Sequence, residues 1–119
     1  MDIKELMCIQ SEFDKEHGWS LEGRGPSELL AWLHKDLVGL FGELGEFAND
    51  LKKITLKHEI RDMKSDIKTF QKLKGALSEE LIDAFIYLMR IAVHLEIDVE
   101  REYIKKLKSN RRKYKQFRR

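Results

Sequence analysis

Two pairs of acidic residues are the features of this sequence best suited to chemistry. Glu43 and Glu46 lie three residues apart, as do Glu80 and Asp83, and this spacing places the members of each pair on one face of a helix. Apolar residues flank both pairs, and an unpaired carboxylate is costly to bury unless it takes up a proton. A divalent cation held between the pairs would relieve their repulsion, and a set of oxygen ligands favours Mg²⁺ or Mn²⁺ over zinc.

The alternative is an exposed acidic face with ordinary surface salt bridges, because Glu-x-x-Glu is common in helices. The setting of Asp83 favours a functional site, since its neighbours in residues 82–86 are apolar. Glu79 competes with Glu80 for a place in the ligand set, because it also lies on the side of Asp83. Asp50, one turn beyond Glu46, is a candidate outer ligand, although a residue in such a position is more often simply solvated.

The elements that must position these acids are predicted to be helices. The chain has a single proline, Pro26, and few β-branched runs, which favours helix throughout. Apolar spacing predicts helices over about residues 2–16, 27–53 and 79–95, and a fourth from residue 99. The third is apolar almost all round, which is typical of a helix at the centre of a bundle. The sequence therefore predicts an all-α, four-helix-type antiparallel bundle.

The predicted helix boundaries rest on capping and turn residues. Ser27, Ser78 and Asp98 are expected to cap the second, third and fourth helices. Residues 54–76 are charged and only weakly amphipathic, which predicts a helix or a helical hairpin arm on the surface. Gly75 interrupts the pattern and is expected to end this arm.

Composition indicates one soluble globular domain over residues 1–119, with 42% hydrophobic and 37% charged residues. The single cysteine, Cys8, excludes a disulfide framework and a cysteine-based zinc site, and is compatible with a cytoplasmic location. The start, Met1–Glu5, carries acids and has no apolar core, so no signal peptide is predicted. No apolar run approaches the ~20 residues of a membrane helix.

Charge is distributed unevenly along the chain. Residues 105–119 hold nine Lys or Arg and no acid, which leaves 14 basic against 21 acidic residues elsewhere, a net charge of −7. This basic C-terminal tail could contact nucleic acid phosphates, with Tyr114 and Phe117 as aromatic partners. The alternative is a solvated helix end that interacts favourably with the helix dipole.

The acidic motifs and the end of the chain together resemble a known family. Glu43-Leu44-Gly45-Glu46 followed by Glu80-Leu81-Ile82-Asp83 is similar to the E-x-x-E…E-x-x-D signature of the MazG-like all-α nucleotide pyrophosphohydrolases. Lys106, Asn110, Lys113 and Tyr114 resemble that family's closing K-x-x-x-N-x-x-R-Y pattern, with Lys113 in place of arginine. The resemblance covers most of the chain apart from residues 54–76.

The resemblance implies a function for each of these residues. Glu43, Glu46, Glu80 and Asp83 would ligate Mg²⁺, and a metal-activated water would attack the α-phosphorus of a nucleoside triphosphate, giving the monophosphate and pyrophosphate. Lys106, Asn110 and Lys113 would hold phosphate oxygens. The family's members are usually dimeric or tetrameric, so a homodimer or homotetramer is expected.

The sequence departs from the family pattern in two places. The family often has a further glutamate just before the first motif, where this chain has Gly42. The 33 residues between Glu46 and Glu80 also form an unusually long spacer. Gly42 would remove a second-metal ligand or a base that orients the water, and the long spacer would reshape the pocket or the oligomer and so bears on the substrate and the assembly.

Aromatic and histidine side chains add candidates for binding the base. Trp19, Trp32 and Phe47 can stack on a base or pack in the core, and His34 can reach a nucleotide or remain on the surface. Two alternatives to the triphosphate pyrophosphohydrolase stay open. One is an inactive helical module that binds nucleic acid or protein through the tail, and the other is a phosphoribosyl-ATP pyrophosphohydrolase.

Overall fold

The computed structural model of the chain is all-α, as the sequence predicts. It describes the backbone of residues 1–60 and 63–119 and the side chains of residues 1–54 and 67–119. Within these ranges the elements are α1 (Ile3–Glu16), α2 (Pro26–Ile60), α3 (Met63–His94), α4 (Val99–Lys113) and a 3₁₀ turn at Lys115–Phe117. No helix in the described ranges has the length and apolar character needed to cross a membrane.

Local interactions explain where the short helices begin and end. The Asp2 side chain caps α1 by accepting from the backbone N–H of Glu5 at 2.9 Å, and the predicted cap Asp98 accepts from Arg101 N–H at 3.1 Å. Gly18 follows α1 with a φ of 74°, a left-handed conformation that glycine adopts at little cost.

The central helices are longer than predicted. α2 begins at Pro26, where proline suits the first turn, so Ser27 lies inside the helix and is not its cap. α3 begins at Met63 and continues through Gly75 and Ser78 without a break. The predicted end at Gly75 and the predicted cap at Ser78 are therefore wrong, because packing along a long helix outweighs the ~1 kcal/mol that one glycine costs.

The predicted 54–76 arm is helical in the part of the chain that the structure describes. Its described residues belong to the end of α2 and the start of α3, and residues 61 and 62 lie outside the described residues. The two helices run antiparallel, since Asp36 near the start of α2 contacts His94 at the end of α3. Most helix–helix contacts of the described chain lie in this hairpin, while α1 packs on α3 and on α4.

The facing side chains of the hairpin form a seam with alternating spacings of four and three residues, as in antiparallel helix pairs. On α2 the half-buried or buried positions of this seam are Asp36, Leu40, Glu43, Phe47, Asp50 and Ile54. On α3 they are Leu73, Leu77, Glu80, Ala84, Tyr87, Ile91 and His94. Several seam positions that an ordinary hairpin would fill with apolar residues are therefore occupied by acids.

Gly39 allows α2 to approach Tyr87 of α3, and we expect its replacement by alanine to destabilise the fold. A Cβ at residue 39 would lie 2.8 Å from the Tyr87 hydroxyl oxygen and closer still to its ring carbons. Overpacking of this kind costs about 1–3 kcal/mol. A Cβ at Gly75 would meet nothing within 4 Å, so Gly75→Ala is the matched control and should stabilise the helix by up to about 1 kcal/mol. Urea unfolding of both variants checks this, and effects of the same sign would contradict the proposed close approach.

Candidate metal and nucleotide site

Five carboxylates converge on the α2–α3 seam near the middle of the hairpin. Glu43 and Asp50 of α2 and Glu80 of α3 are half-buried in it, whereas Glu46 and Asp83 are exposed at its edge. Leu40 and Ala84 lie in the same seam and are buried, with 8% and 2% of their surface exposed. All four acids predicted as metal ligands therefore lie on one interhelical face, together with the candidate outer ligand Asp50.

The electrostatics of these carboxylates show that they repel one another. Burial raises the pKa of Glu43 above its ordinary value, and the nearby charges of Glu46 and Asp83 raise it further. Burial also raises the pKa of Glu80. The neighbouring Asp50 raises it further, and the charges of Glu46 and Glu43 add smaller increases. Each raised pKa means that the ionised carboxylate is less stable in the metal-free protein than it is in water.

One carboxylate oxygen at this face has no protein partner. Oε2 of Glu80 is buried and accepts no hydrogen bond among the residues that the structure describes, although an unsatisfied buried acceptor is costly. Lys53 Nζ, 3.6 Å from Asp50 Oδ1, is exposed and offsets only part of the negative charge. The oxygen-only donor set and the orphan oxygen both fit a hard divalent cation such as Mg²⁺.

The side chains are not drawn together as they would be around an ion. In the described ranges, no three Asp, Glu, His or Cys side chains are arranged to hold a metal. Binding would therefore require rotation of the carboxylates on helices that already face each other.

We expect Glu80→Gln to raise the melting temperature of the metal-free protein at neutral pH. The folded pKa of Glu80 exceeds its unfolded value, so ionisation of Glu80 favours the unfolded chain. The neutral Glu80 carboxyl contributes its full stability below the pKa that Glu80 has in the unfolded chain. That contribution is lost as pH rises through the pKa of Glu80 in the folded chain. The gain from glutamine should therefore be small near pH 4 and grow toward pH 7, within the range where carboxyl groups titrate.

Thermal melts in the presence of a chelator measure this difference. Glu79→Gln is the matched control, because Glu79 is exposed, and its melting temperature should follow that of the wild type. Saturating Mg²⁺ should stabilise the wild type more than Glu80→Gln, since only ligand binding to the folded state adds stability. If Glu79→Gln, and not Glu80→Gln, raised the melting temperature in chelator and reduced the stabilisation by Mg²⁺, Glu79 would be the ligand instead.

A cavity of about 500 Å³ opens beside the acids. Its lining combines two of the carboxylates with aromatic, aliphatic and polar residues of α1, the following loop and α3: Gln10, Phe13, Trp19, Glu43, Asp83, Ile86, Tyr87 and Arg90. A volume of this order suits a small organic ligand. Aromatic rings next to metal-type ligands suit a molecule that has both a flat ring and phosphates.

The other predicted binding residues lie outside this cavity in the single chain. Trp32 is half-buried and packs edge-on against His94, with ring centroids 6.3 Å apart, while His34 is exposed on α2. Asn110 lines a separate concavity near the C-terminus, and Lys106 and Lys113 are exposed on α4. A role for these five residues in substrate binding stays a prediction.

Two buried polar contacts, a salt bridge and an Asp–His contact, were not anticipated from the sequence. Asp14 of α1 is 5% exposed and pairs with Arg90 of α3 at 2.9 Å. Asp36 of α2 is 3% exposed, and its Oδ2 lies 3.1 Å from His94 Nε2. Burial raises the pKa of Asp36, and His94 and Arg90 counteract that effect. One sequence feature could have indicated these contacts: Arg90 and His94 lie four residues apart in an otherwise apolar helix, where each needs a polar partner.

The fold and this face define an all-α protein with a carboxylate-lined interhelical site next to an aromatic cavity. The chain is similar to dCTP pyrophosphatase 1 of Rattus norvegicus, with 31% identity over 117 residues, covering 94% of this chain and 58% of the relative. The proteins of the same name from Mus musculus and Homo sapiens are 29% and 27% identical to this chain, and each alignment again covers 94% of this chain and 58% of the relative. The chain thus spans less than two thirds of the length of these relatives. No family model matches the chain, and no solved structure matches it.

Proposed function

We propose that this protein hydrolyses a nucleoside triphosphate to the monophosphate and pyrophosphate in a Mg²⁺-dependent reaction. The observation that carries the proposal is the set of mutually repelling carboxylates on the α2–α3 seam, two of which line the aromatic cavity. The named relatives support it, because pyrophosphate release from a nucleotide is the activity that their name describes. Their name also makes dCTP the first substrate to test.

Glu43, Glu46, Glu80 and Asp83 would hold the cation, with Asp50 beside Glu80. A bound Mg²⁺ supplies charge stabilisation at phosphoryl oxygens and makes a coordinated water more acidic. The chain's own contribution is to place the carboxylates on two rigid helices, so that the site has little freedom to distort. Without a cation, the negative charge at this face would repel a triphosphate, which is why we expect turnover to require one.

The aromatic side of the cavity would bind the base. Trp19 and Tyr87 present rings near the carboxylates, and base–aromatic stacking is worth about 1–3 kcal/mol per base. Phe47, the third aromatic candidate on sequence grounds, belongs to the seam between α2 and α3 and so has a packing role. The base would then lie on the α1 side of the hairpin, with the phosphates directed toward Glu43 and Asp83.

Hydrolysis in ¹⁸O-labelled water tests the reaction type. Attack at the α-phosphorus places the label in the nucleoside monophosphate and leaves pyrophosphate unlabelled, and mass spectrometry of both products distinguishes this from attack at the β- or γ-phosphorus. Phosphoribosyl-ATP belongs in the same substrate panel. Turnover of that compound alone would replace the proposed substrate class, and orthophosphate as the product would exclude the proposed reaction.

A homodimer or homotetramer is the proposed assembly. Leu30, Leu37, Leu44 and Leu51 recur every seven residues on α2 and are 60%, 43%, 41% and 40% exposed. Phe41, four residues after Leu37, lies on the same side and is 64% exposed, and Val38, one turn before Phe41, is 72% exposed beside it. A stripe of this kind on a soluble chain marks an interaction surface. Within an assembly, α4 of a second copy is the candidate source of Lys106, Asn110 and Lys113 at the phosphates.

A second candidate function is binding of single-stranded nucleic acid by the basic tail. Tyr114 and Phe117 are 50% and 68% exposed, with ring centroids 6.4 Å apart, and Lys113 Nζ lies 5.3 Å from the Tyr114 ring. Exposed rings among cations are typical of surfaces that stack bases. Fluorescence anisotropy with a labelled oligonucleotide tests this role. Steeply salt-dependent binding together with no nucleotide hydrolysis would favour the inactive binding module.

A further inference from the structure

We propose that the buried Asp14–Arg90 pair is a positioning device, which holds Trp19 as the wall at the back of the nucleotide cavity and thereby sets which bases the cavity accepts. The base-selecting part rests on the proposed function. The positioning of Trp19 is a property of the unliganded chain and can be tested without any turnover.

The pair is built as a fork that fixes the arginine in one orientation. Arg90 Nε donates to both carboxylate oxygens of Asp14, at 3.0 and 2.9 Å, and its terminal NH₂ nitrogen lies 2.9 Å from Oδ1. Gln10 Nε2 also donates to Asp14 Oδ1 at 2.9 Å. Because the guanidinium charge is neutralised in this way and the two side chains are only 14% and 7% exposed, Arg90 is unsuited to bind a phosphate.

Trp19 is held by the backbone of Asp14 and by the side chain of Arg90. Its backbone N–H donates to the Asp14 carbonyl oxygen at 2.8 Å, which turns the chain back toward α1 directly after Gly18. Its ring centroid lies 5.2 Å from the Arg90 guanidinium carbon, and the same guanidinium lies 5.5 Å from the Tyr87 ring. Arg90 is thus in cation–π range of two of the three aromatic rings that line the cavity.

The pair and Trp19 also separate two cavities. Trp19 and Arg90 line the 500 Å³ cavity that contains Glu43 and Asp83. They also line a second cavity of about 250 Å³, whose other residues include Asp14, Leu21 and His94. The Trp19 ring and the guanidinium are therefore the wall between the two spaces, and displacement of either would deepen the site beside the carboxylates.

A wall that limits depth discriminates between bases by size. Apolar pockets separate ligands that differ by small groups by about 10–200-fold, and that discrimination depends on a rigid boundary. Asp14 is not among the residues that line the cavity beside the carboxylates, but its carboxylate accepts hydrogen bonds from two that do, Arg90 and Gln10. Its effect on base selection must therefore pass through these neighbours, and Arg90 is the one that contacts Trp19.

The first experiment measures the accessibility of Trp19 in the unliganded protein. The chain has two tryptophans, so a Trp32→Phe background leaves Trp19 as the only one. In this background, Asp14→Asn and Arg90→Lys should increase the acrylamide quenching constant of Trp19 about twofold or more. Glu102→Gln and Arg101→Lys are the matched controls, since they alter an exposed pair 3.5 Å apart and should leave quenching unchanged.

The second experiment uses wild type and the same variants with both tryptophans present. We expect Asp14→Asn and Arg90→Lys to raise KM about tenfold with kcat within about twofold, and to reduce the ratio of kcat/KM between pyrimidine and purine triphosphates. A loss of thermal stability with unchanged quenching and unchanged KM would show a purely structural ion pair and overturn the proposal. If Asp14→Asn does not fold by circular dichroism, Arg90→Lys and Asp14→Glu decide the same question.

The failure of the proposed function has a different signature. If the wild type hydrolyses no nucleotide, the base-selecting role is overturned with it, while the quenching data still decide whether the pair positions Trp19. If the wild type is active and the variants keep both its KM and its base preference, the base-selecting role alone is overturned.

Discussion

We expect Asp83→Asn to lose nearly all nucleotide hydrolysis while the helix content stays that of the wild type. Asp83 lies at the edge of the α2–α3 seam, lines the aromatic cavity and raises the pKa of Glu43 through its charge. Asparagine keeps the shape of the side chain and removes the charge that a cation requires. Loss of one preorganised electrostatic group typically costs 10²–10³ in kcat, so we expect a loss of at least about a hundredfold.

Pyrophosphate release under saturating dCTP and Mg²⁺ measures this loss, with far-UV circular dichroism to confirm the fold. Asp98→Asn is the matched control, because it makes the same change at an exposed helix cap, where asparagine also functions well. Full activity of Asp83→Asn would show that the Asp83 carboxylate is not needed at the site, and it would contradict the proposed ligand set.

In the proposed assembly the exposed apolar residues of α2 form the contact, so Val38→Asp with Phe41→Asp should dissociate it. Charged side chains at a buried contact lose apolar burial and gain a desolvation cost, and central contacts are worth about 2 kcal/mol or more each. Each substitution should then weaken association about thirtyfold. Light scattering after size exclusion should show the mass fall to the 14.1 kDa of one chain.

Lys72→Asp is the control for these substitutions, because it places a new carboxylate at an exposed position of α3 outside the stripe. It should leave the measured mass of the assembly unchanged. If α4 of a second copy supplies Lys106 to the phosphates, the dissociated variant should also lose activity at low protein concentration. A wild-type chain that is monomeric at all concentrations would contradict both the assembly and this origin of Lys106.

The fold class was predictable because the helix-forming composition and the apolar spacing agree over most of the chain. The ends of the central helices were not, because local signals at Gly75 and Ser78 compete with the packing of a long hairpin, which depends on residues far apart in sequence. Ser27 failed as a cap for a similar reason, since Pro26 already suits the first turn of α2.

The placement of the acids was predictable in part. Spacing put Glu43 with Glu46 and Glu80 with Asp83, and the structure places all four on one interhelical face. The role of Asp14 was not visible from sequence, because its partner Arg90 lies 76 residues away and only the packing of α1 on α3 joins them. The same holds for Asp36 and His94, which the antiparallel arrangement of α2 and α3 brings together.

Glycines in α2 show why a local pattern is insufficient. Gly39 is required by the approach of Tyr87, whereas a Cβ at Gly42 or Gly45 would meet nothing within 4 Å. The three residues look equivalent in sequence, and only the position of α3 distinguishes them. Gly42, where the resembled family often has a glutamate, therefore has room for a side chain in the single chain.

The most direct measurement is pyrophosphate release from a panel of ribo- and deoxynucleoside triphosphates, with Mg²⁺ and with chelator. We expect release that requires the metal, that is lost in Asp83→Asn, and that identifies the preferred base. Absence of release from every nucleotide, by folded wild-type protein supplied with Mg²⁺ or Mn²⁺, would contradict the proposed reaction and leave nucleic acid binding by the basic tail as the function to pursue.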